Sequence, residues 1–195
     1  GTGLVFFPQD KDDAAKCNPY PYPKCPYCSE WRGLMNPSIT IRPAQDFDET
    51  AVMDLLEKTG FFRGVELAVA REVFCEAVSG KPECTYQSYV ADAGGKAVGW
   101  VCFGPTPCTV GTFDMYWIAV NPAMQRKGIG KLLSQFAEEV IKQQNGRLIV
   151  VETSGLPQYE PTRRFYEKND YFLAAEVPDF YAPGDSKCIY LKPLY

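Results

Sequence analysis

Histidine does not occur in this chain of 195 residues. The side chain that most often takes a proton near neutral pH is therefore missing, and zinc loses its usual nitrogen ligand. No apolar run reaches the ~18 residues that a membrane-spanning helix needs. The opening GTGLVFFPQDKDD has an apolar patch of only Leu4 to Phe7 with no basic segment before it, which is not the layout of a signal peptide. Positive charge is scarce too. Lys and Arg number 20 against 24 Asp and Glu, and a net charge of −4 argues against a nucleic-acid backbone as partner. The glycine-rich fingerprint GxGxxG is absent, as is the P-loop GxxxxGK followed by Ser or Thr. The chain begins at Gly1 rather than Met, which points to a tag remnant, a trimmed chain or part of a longer protein.

What is present suits one well-buried domain: 46% of residues are hydrophobic and 23% charged. Of the eight cysteines, Cys75, Cys84, Cys102, Cys108 and Cys188 are scattered without mutual spacing. They read as reduced, buried thiols of a cytoplasmic protein. Cys25-Pro26-Tyr27-Cys28, with Cys17 upstream, leaves three readings open: an inert thiol pair, a structural metal or disulfide staple, or redox chemistry. A metal would need a distant fourth ligand such as Cys188, so no metal ligands are assigned.

Residues 1–37 form a Pro-, Tyr- and Cys-rich N-terminal extension without helical or strand period. From Ser38 to Tyr195 the texture is that of one domain. SITIRPA (38–44) reads as a strand, and DETAVMDLLEKTG (48–60) and VELAVAREVFCEAVSG (65–80) as helices ending at glycine. TYQSYVADA (85–93) and KAVGWVCFGPT (96–106) form a hairpin through Gly94-Gly95, and TFDMYWIAV (112–120) is a strand stopped by Asn121-Pro122. Ile129, Leu132, Leu133, Phe136, Ala137, Val140 and Ile141 keep a helical period. RLIVVET (147–153) is a central strand, EPTRRFYEKND (160–170) a helix, and YFLAAEV and KCIYLKPL two last strands. The order β-α-α-β-β-β-α-β-α-β-β predicts a mixed α/β layer fold.

The helix after Asn121-Pro122 opens unusually. NPAMQRKGIGKLL places two glycines beside Arg126, Lys127 and Lys131, although glycine costs a helix roughly 0.5–1 kcal/mol relative to alanine. The first amides of a helix lack internal partners and lie at the positive end of its dipole. Glycines there let an anionic group approach, which makes a phosphate site. The alternative is a solvated basic turn whose glycines ease packing.

Val120-x-Pro122-x-x-Gln125-x-x-Gly128-Ile129-Gly130 resembles motif A of the GCN5-related N-acetyltransferases (GNATs), with its preceding strand, its long helix, the VVET strand and the RRFYEK helix in the family's order. The resemblance covers about residues 38–195. It implies the GNAT fold: a mixed, mostly antiparallel central sheet of about six to seven strands, helices on both faces, and strands splayed at the cofactor site. It implies acetyl-CoA as cosubstrate, with no metal needed for chemistry. The pyrophosphate would lie on the loop of Gln125, Arg126, Lys127, Gly128, Ile129, Gly130 and Lys131. The pantetheine arm would pair with the main chain of Ile118 and Val120.

By the same resemblance Tyr166 matches the tyrosine set beside the coenzyme sulfur, able to donate a proton to the leaving thiolate; packing under its helix is the competing reading. Asp114 is one candidate base, sharing an alternating face with Tyr116, Ile118 and Val120. Glu152 is another, and a water chain with no dedicated base is the third. Asn169-Asp170-Tyr171 departs from the family's Gly-Phe, though Asn and Asp tolerate a left-handed helix end. The expected activity is direct acetyl transfer to a primary amine in a ternary complex. A small or amino-acid-like amine is preferred to a protein tail, on the strength of Phe61, Phe62, Tyr159, Phe180, Tyr181, Asp179 and Asp185. The alternatives are a coenzyme A sensor or interaction domain without turnover, or the acetyltransferase part of a longer protein. No membrane partner is expected, and a homodimer is left open.

Overall fold

The computed structural model describes residues 39–195. The N-terminal extension, with Cys17, Cys25 and Cys28, lies outside the described residues. The element order is the expected one: β1 Ile39–Pro43, α1 Glu49–Thr59, α2 Gly64–Val78, β2 Gln87–Ala93, β3 Ala97–Pro105, β4 Thr112–Val120, α3 Ile129–Gln143, β5 Leu148–Ser154, α4 Glu160–Lys168, β6 Phe172–Ala182 and β7 Asp185–Pro193. Seven strands form one sheet in the order β1-β2-β3-β4-β5-β7-β6. Every pairing is antiparallel except β4 with β5.

That parallel pairing positions the site. It covers only Thr112–Leu148, Phe113–Ile149 and Asp114–Val150, so beyond Asp114 and Val150 the two strands diverge. From Met115 onward the edge of β4 that faces β5 has no ladder partner.

Helices cover both faces, as the amphipathic periods require. On one face α3 buries Ile129, Leu133, Phe136, Ala137 and Ile141, together with Tyr166 of α4. Full burial of such aliphatic and aromatic side chains contributes ~1.5–3 kcal/mol each. On the other face Val52, Leu55 and Leu56 of α1 and Phe74 of α2 pack on Trp100 and Cys102 of β3. The sheet itself carries Ile149 and Val151 of β5 and Tyr190 of β7 into the first core.

Some details differ from expectation. β6 runs past Val177 to Ala182. The scattered cysteines are free, but only Cys102 and Cys188 are buried; Cys75 and Cys108 are exposed. Cys75 lies on the outer face of α2, and Cys108 sits in the β3–β4 turn with a φ of 61°. Among the described residues no helix is long and apolar enough to cross a membrane.

Candidate active site

The divergence of β4 from β5 opens a cleft of about 1130 Å³. The amino end of α3 forms one part of its wall, and the α1–α2 loop, the β5–α4 loop and the β6–β7 hairpin form another.

The glycine loop at the first wall is built from unusual backbone. Arg126 and Gly128 both have positive φ, 61° and 81°, so the chain turns sharply into the helix. The first helical bond runs from the Leu132 amide to the Gly128 carbonyl at 2.9 Å. The amides of Gly128, Ile129, Gly130 and Lys131 therefore have no partner within the helix. Gly130 serves packing as well, because a Cβ there would come 3.3 Å from the Phe165 ring of α4. Gln125 anchors the loop through its Nε2, which donates to the Val120 carbonyl at 3.3 Å. Gln125, Arg126, Gly128, Ile129, Gly130, Lys131, Ile118 and Val120 all line the cleft. Lys127 does not; its Nζ turns to Met124 Sδ at 3.4 Å.

Tyr166 reaches the cleft from α4. Its ring is 6% exposed and sits among Phe165, Tyr171 and Tyr190, at centroid distances of 5.6, 5.5 and 5.8 Å. Burial alone pushes its phenol well above the usual tyrosine range. Its hydroxyl has no hydrogen-bond partner among the described residues. The ring packs in the α3-side core, and the residue also lines the cleft. Helix α4 ends as its sequence allows, with Asp170 taking the left-handed conformation at φ 65°. The Asn169 side chain donates to the Phe165 carbonyl at 2.7 Å.

Asp114 is not brought to this place. Opposite β4, Cys102 pairs with Trp117 and Phe103 with Met115, which leaves Tyr116 as a bulge. The bulge reverses the alternation. Phe113 and Met115 share the α3-side core with Ile118 and Val120, while Trp117 and Ala119 face the α1 side. Asp114 therefore does not share a face with Ile118 and Val120, contrary to the alternating pattern, and does not line the cleft. Its carboxylate accepts the Thr106 hydroxyl at 2.7 Å. Glu152 does line the cleft, and it pairs with Lys187 at 2.8 Å.

The far end of the cleft is aromatic and acidic. Phe61, Phe62, Tyr159, Tyr181 and Asp185 are there as the sequence suggests. Phe180 and Asp179 are not. Phe180 lies under Lys187, 3.8 Å from its Nζ, and Asp179 accepts the Gly184 amide at 2.6 Å inside the hairpin. The Tyr159 hydroxyl donates to the Phe61 carbonyl at 2.9 Å, with the two rings 5.5 Å apart, which ties the α1–α2 loop to the β5–α4 loop.

Sequence reasoning missed Trp117, Arg63 and Glu66 in this wall. Glu66 is the third residue of α2, where it caps the Arg63 amide at 2.8 Å. Nothing in the local sequence says that this helix start faces the cleft. Among the described residues no group of three Cys, Asp or Glu side chains could hold a metal ion.

Comparison with known proteins follows the same lines. Residues 85–171 match a family described as the acetyltransferase (GNAT) domain. A crystal structure from Desulfovibrio desulfuricans, assigned as an acetyltransferase of the GNAT family, is 37% identical; the match covers 80% of this chain and 99% of that one at a TM-score of 0.78. Two more distant structures share the fold. The ribosomal-protein-S18-alanine N-acetyltransferase of Escherichia coli is 18% identical over 80% of this chain and 94% of its own, with a TM-score of 0.64. The PaiA N-acetyltransferase of Thermoplasma acidophilum, crystallised with coenzyme A, is 18% identical over 80% and 99%, with a TM-score of 0.63. No curated protein sequence matches the chain.

Proposed function

The chain belongs to the GNAT family of acetyltransferases, and we propose that it moves an acetyl group from acetyl-coenzyme A to a primary amine by direct attack within a ternary complex. One observation carries the reading: a single cleft joins unpaired helix amides, an unpaired strand edge and an unpartnered phenol.

The residues fit that cosubstrate. The amides at the start of α3, with Arg126 and Lys131, would hold a pyrophosphate. The open edge of β4 through Ile118 and Val120 would pair with the amides of a pantetheine arm. Acetyl-coenzyme A supplies the activated acyl thioester. Tyr166 holds a proton at Oη that can pass to the departing sulfur as the carbon–sulfur bond breaks. An amine must lose its proton before it attacks, and the open cleft offers water for this, with Glu152 as the carboxylate on the wall. Asp114, bonded to Thr106 away from the cleft, is left out of the step.

The test is calorimetric titration with acetyl-coenzyme A, followed by assay of thiol release over a panel of amines. Binding together with amine-dependent release is the expected result. Binding without release for any amine would favour coenzyme A binding without turnover. No binding would overturn the proposal.

A further inference from the structure

One face of β4 has no part in the proposed step. Ile118 and Val120 lie on the α3 side, whereas Trp117 packs on the α1 side and also lines the cleft. The bulge at Tyr116 puts it there. Strict alternation from Met115 would carry Trp117 into the α3-side core instead.

From Trp117 a run of aromatic rings extends both ways. Inward, Trp117 stacks on Trp100 at a centroid distance of 6.0 Å with 20° between the planes, and Trp100 meets Phe74 edge-on at 5.8 Å. Trp100 and Phe74 are fully buried, and the Trp100 indole donates to the Ser88 hydroxyl at 2.8 Å, so this end is fixed. Outward, Phe62 of the α1–α2 loop meets Trp117 edge-on at 5.1 Å. Its chain neighbour Phe61 packs on Tyr159 at 5.5 Å. The outer four rings, Trp117, Phe62, Phe61 and Tyr159, are only half-buried, and all four line the cleft. They run from β4 to the loop after β5, the two strands whose parting opens the cleft.

Rings held by one another and by a buried stack lose little freedom when a ligand arrives, so their remaining apolar surface is preorganised for binding. An aromatic body gains most from such a wall. Offset and edge-to-face contacts add to the plain burial of apolar area, which is all that an aliphatic chain obtains. We propose that the acceptor is an arylalkylamine, its ring seated against Trp117 and Phe62 while its amino group reaches the thioester laid along the free edge of β4. Trp117 directly precedes Ile118 on that strand, one rise of ~3.3 Å, so a short alkyl linker spans the distance. The inference rests on the acetyl-transfer reading and adds the acceptor class.

The test measures kcat/KM for 2-phenylethylamine and 3-phenylpropylamine against their cyclohexyl analogues, hexylamine and 1,6-diaminohexane. Acetyl-coenzyme A is saturating, and rates are compared per neutral amine. The better arylalkylamine should exceed its cyclohexyl analogue by about 2- to 12-fold, the worth of one aromatic pair, and hexylamine by at least as much. Trp117→Leu should bring the aryl-to-cyclohexyl ratio towards one. Phe62→Leu, outside the buried core, is the second variant if Trp117→Leu does not fold. Equal rates for the aryl and cyclohexyl amines would overturn the proposal, as would a preference for the diamine or a ratio that survives substitution. If no acceptor turns over, calorimetry of the same amines with the coenzyme A-loaded protein decides the ratio. Failure of acetyl-coenzyme A to bind at all would instead strike the underlying reading, so the two failures are distinguishable.

Discussion

Tyr166 is at once a core residue and part of the cleft lining. Its ring is held in the core by three other aromatic side chains, while its hydroxyl is left without a partner at the cleft wall. Tyr166→Phe should therefore fold as the parent does, bind acetyl-coenzyme A equally well, and lose turnover by ~10²-fold or less. Wild-type turnover in that variant would remove the phenol from the reaction. The pH profile gives an independent check. Burial favours the neutral form and raises the phenol's pKa, so Tyr166 stays protonated as the medium becomes alkaline. Turnover should rise as the amine deprotonates, with no descending limb from Tyr166 below about pH 10. The same scale shows where a residue-by-residue reading of the sequence fails. Asp114 and Glu152 are both candidate carboxylates on neighbouring strands, yet one bonds Thr106 away from the cleft and the other lines it.

At the scale of elements, β4 and the loops around its free edge matter most. One bulged residue, Tyr116, moves Ile118 and Val120 onto the α3 side and Trp117 onto the α1 side. A period-two reading cannot see this, because the bulge is set by the pairing with β3 and not by any residue type within TFDMYWIAV. The helix-opening loop was more legible, since its glycines and basic residues are contiguous. The structure divides their work: Gly128 supplies the left-handed turn and Gly130 admits Phe165. Across the cleft the Tyr159 hydroxyl ties two loops that are 98 residues apart in sequence. Tyr159→Phe keeps the ring contact with Phe61 and removes that tie. The acceptor KM should rise by about 2- to 12-fold, the worth of one neutral hydrogen bond, with acetyl-coenzyme A affinity unchanged. An unchanged KM would show that the tie does not shape the acceptor end.

As a whole the molecule is two half-sheets joined where β4 and β5 share three register pairs, and the cleft is the gap beyond that joint. Side chains between α3, α4 and the β5–β7 half add to the joint. Lys192 of β7 pairs with the buried Glu138 of α3 at 2.7 Å and donates to the Asn169 carbonyl after α4 at 2.8 Å. Ser134, one turn earlier on α3, donates to Glu138 at 3.0 Å. Lys192→Met would leave the Glu138 carboxylate buried without its partner and should destabilise the fold by about 3–5 kcal/mol, read from urea unfolding. A loss within error would mean that water reaches Glu138 and the bridge adds little. The order of elements, the α3 stripe and the basic glycine loop were determined by the sequence alone, because periodicity, caps and contiguous motifs depend on residues near one another in the chain. The bulge at Tyr116, the partner of Asp114, the Tyr159–Phe61 tie and the placing of Glu66, Glu152 and Asp185 on one cleft were decided only by the tertiary structure. Each depends on which strands pair, in what register and where they part, and those are relations between segments far apart along the chain.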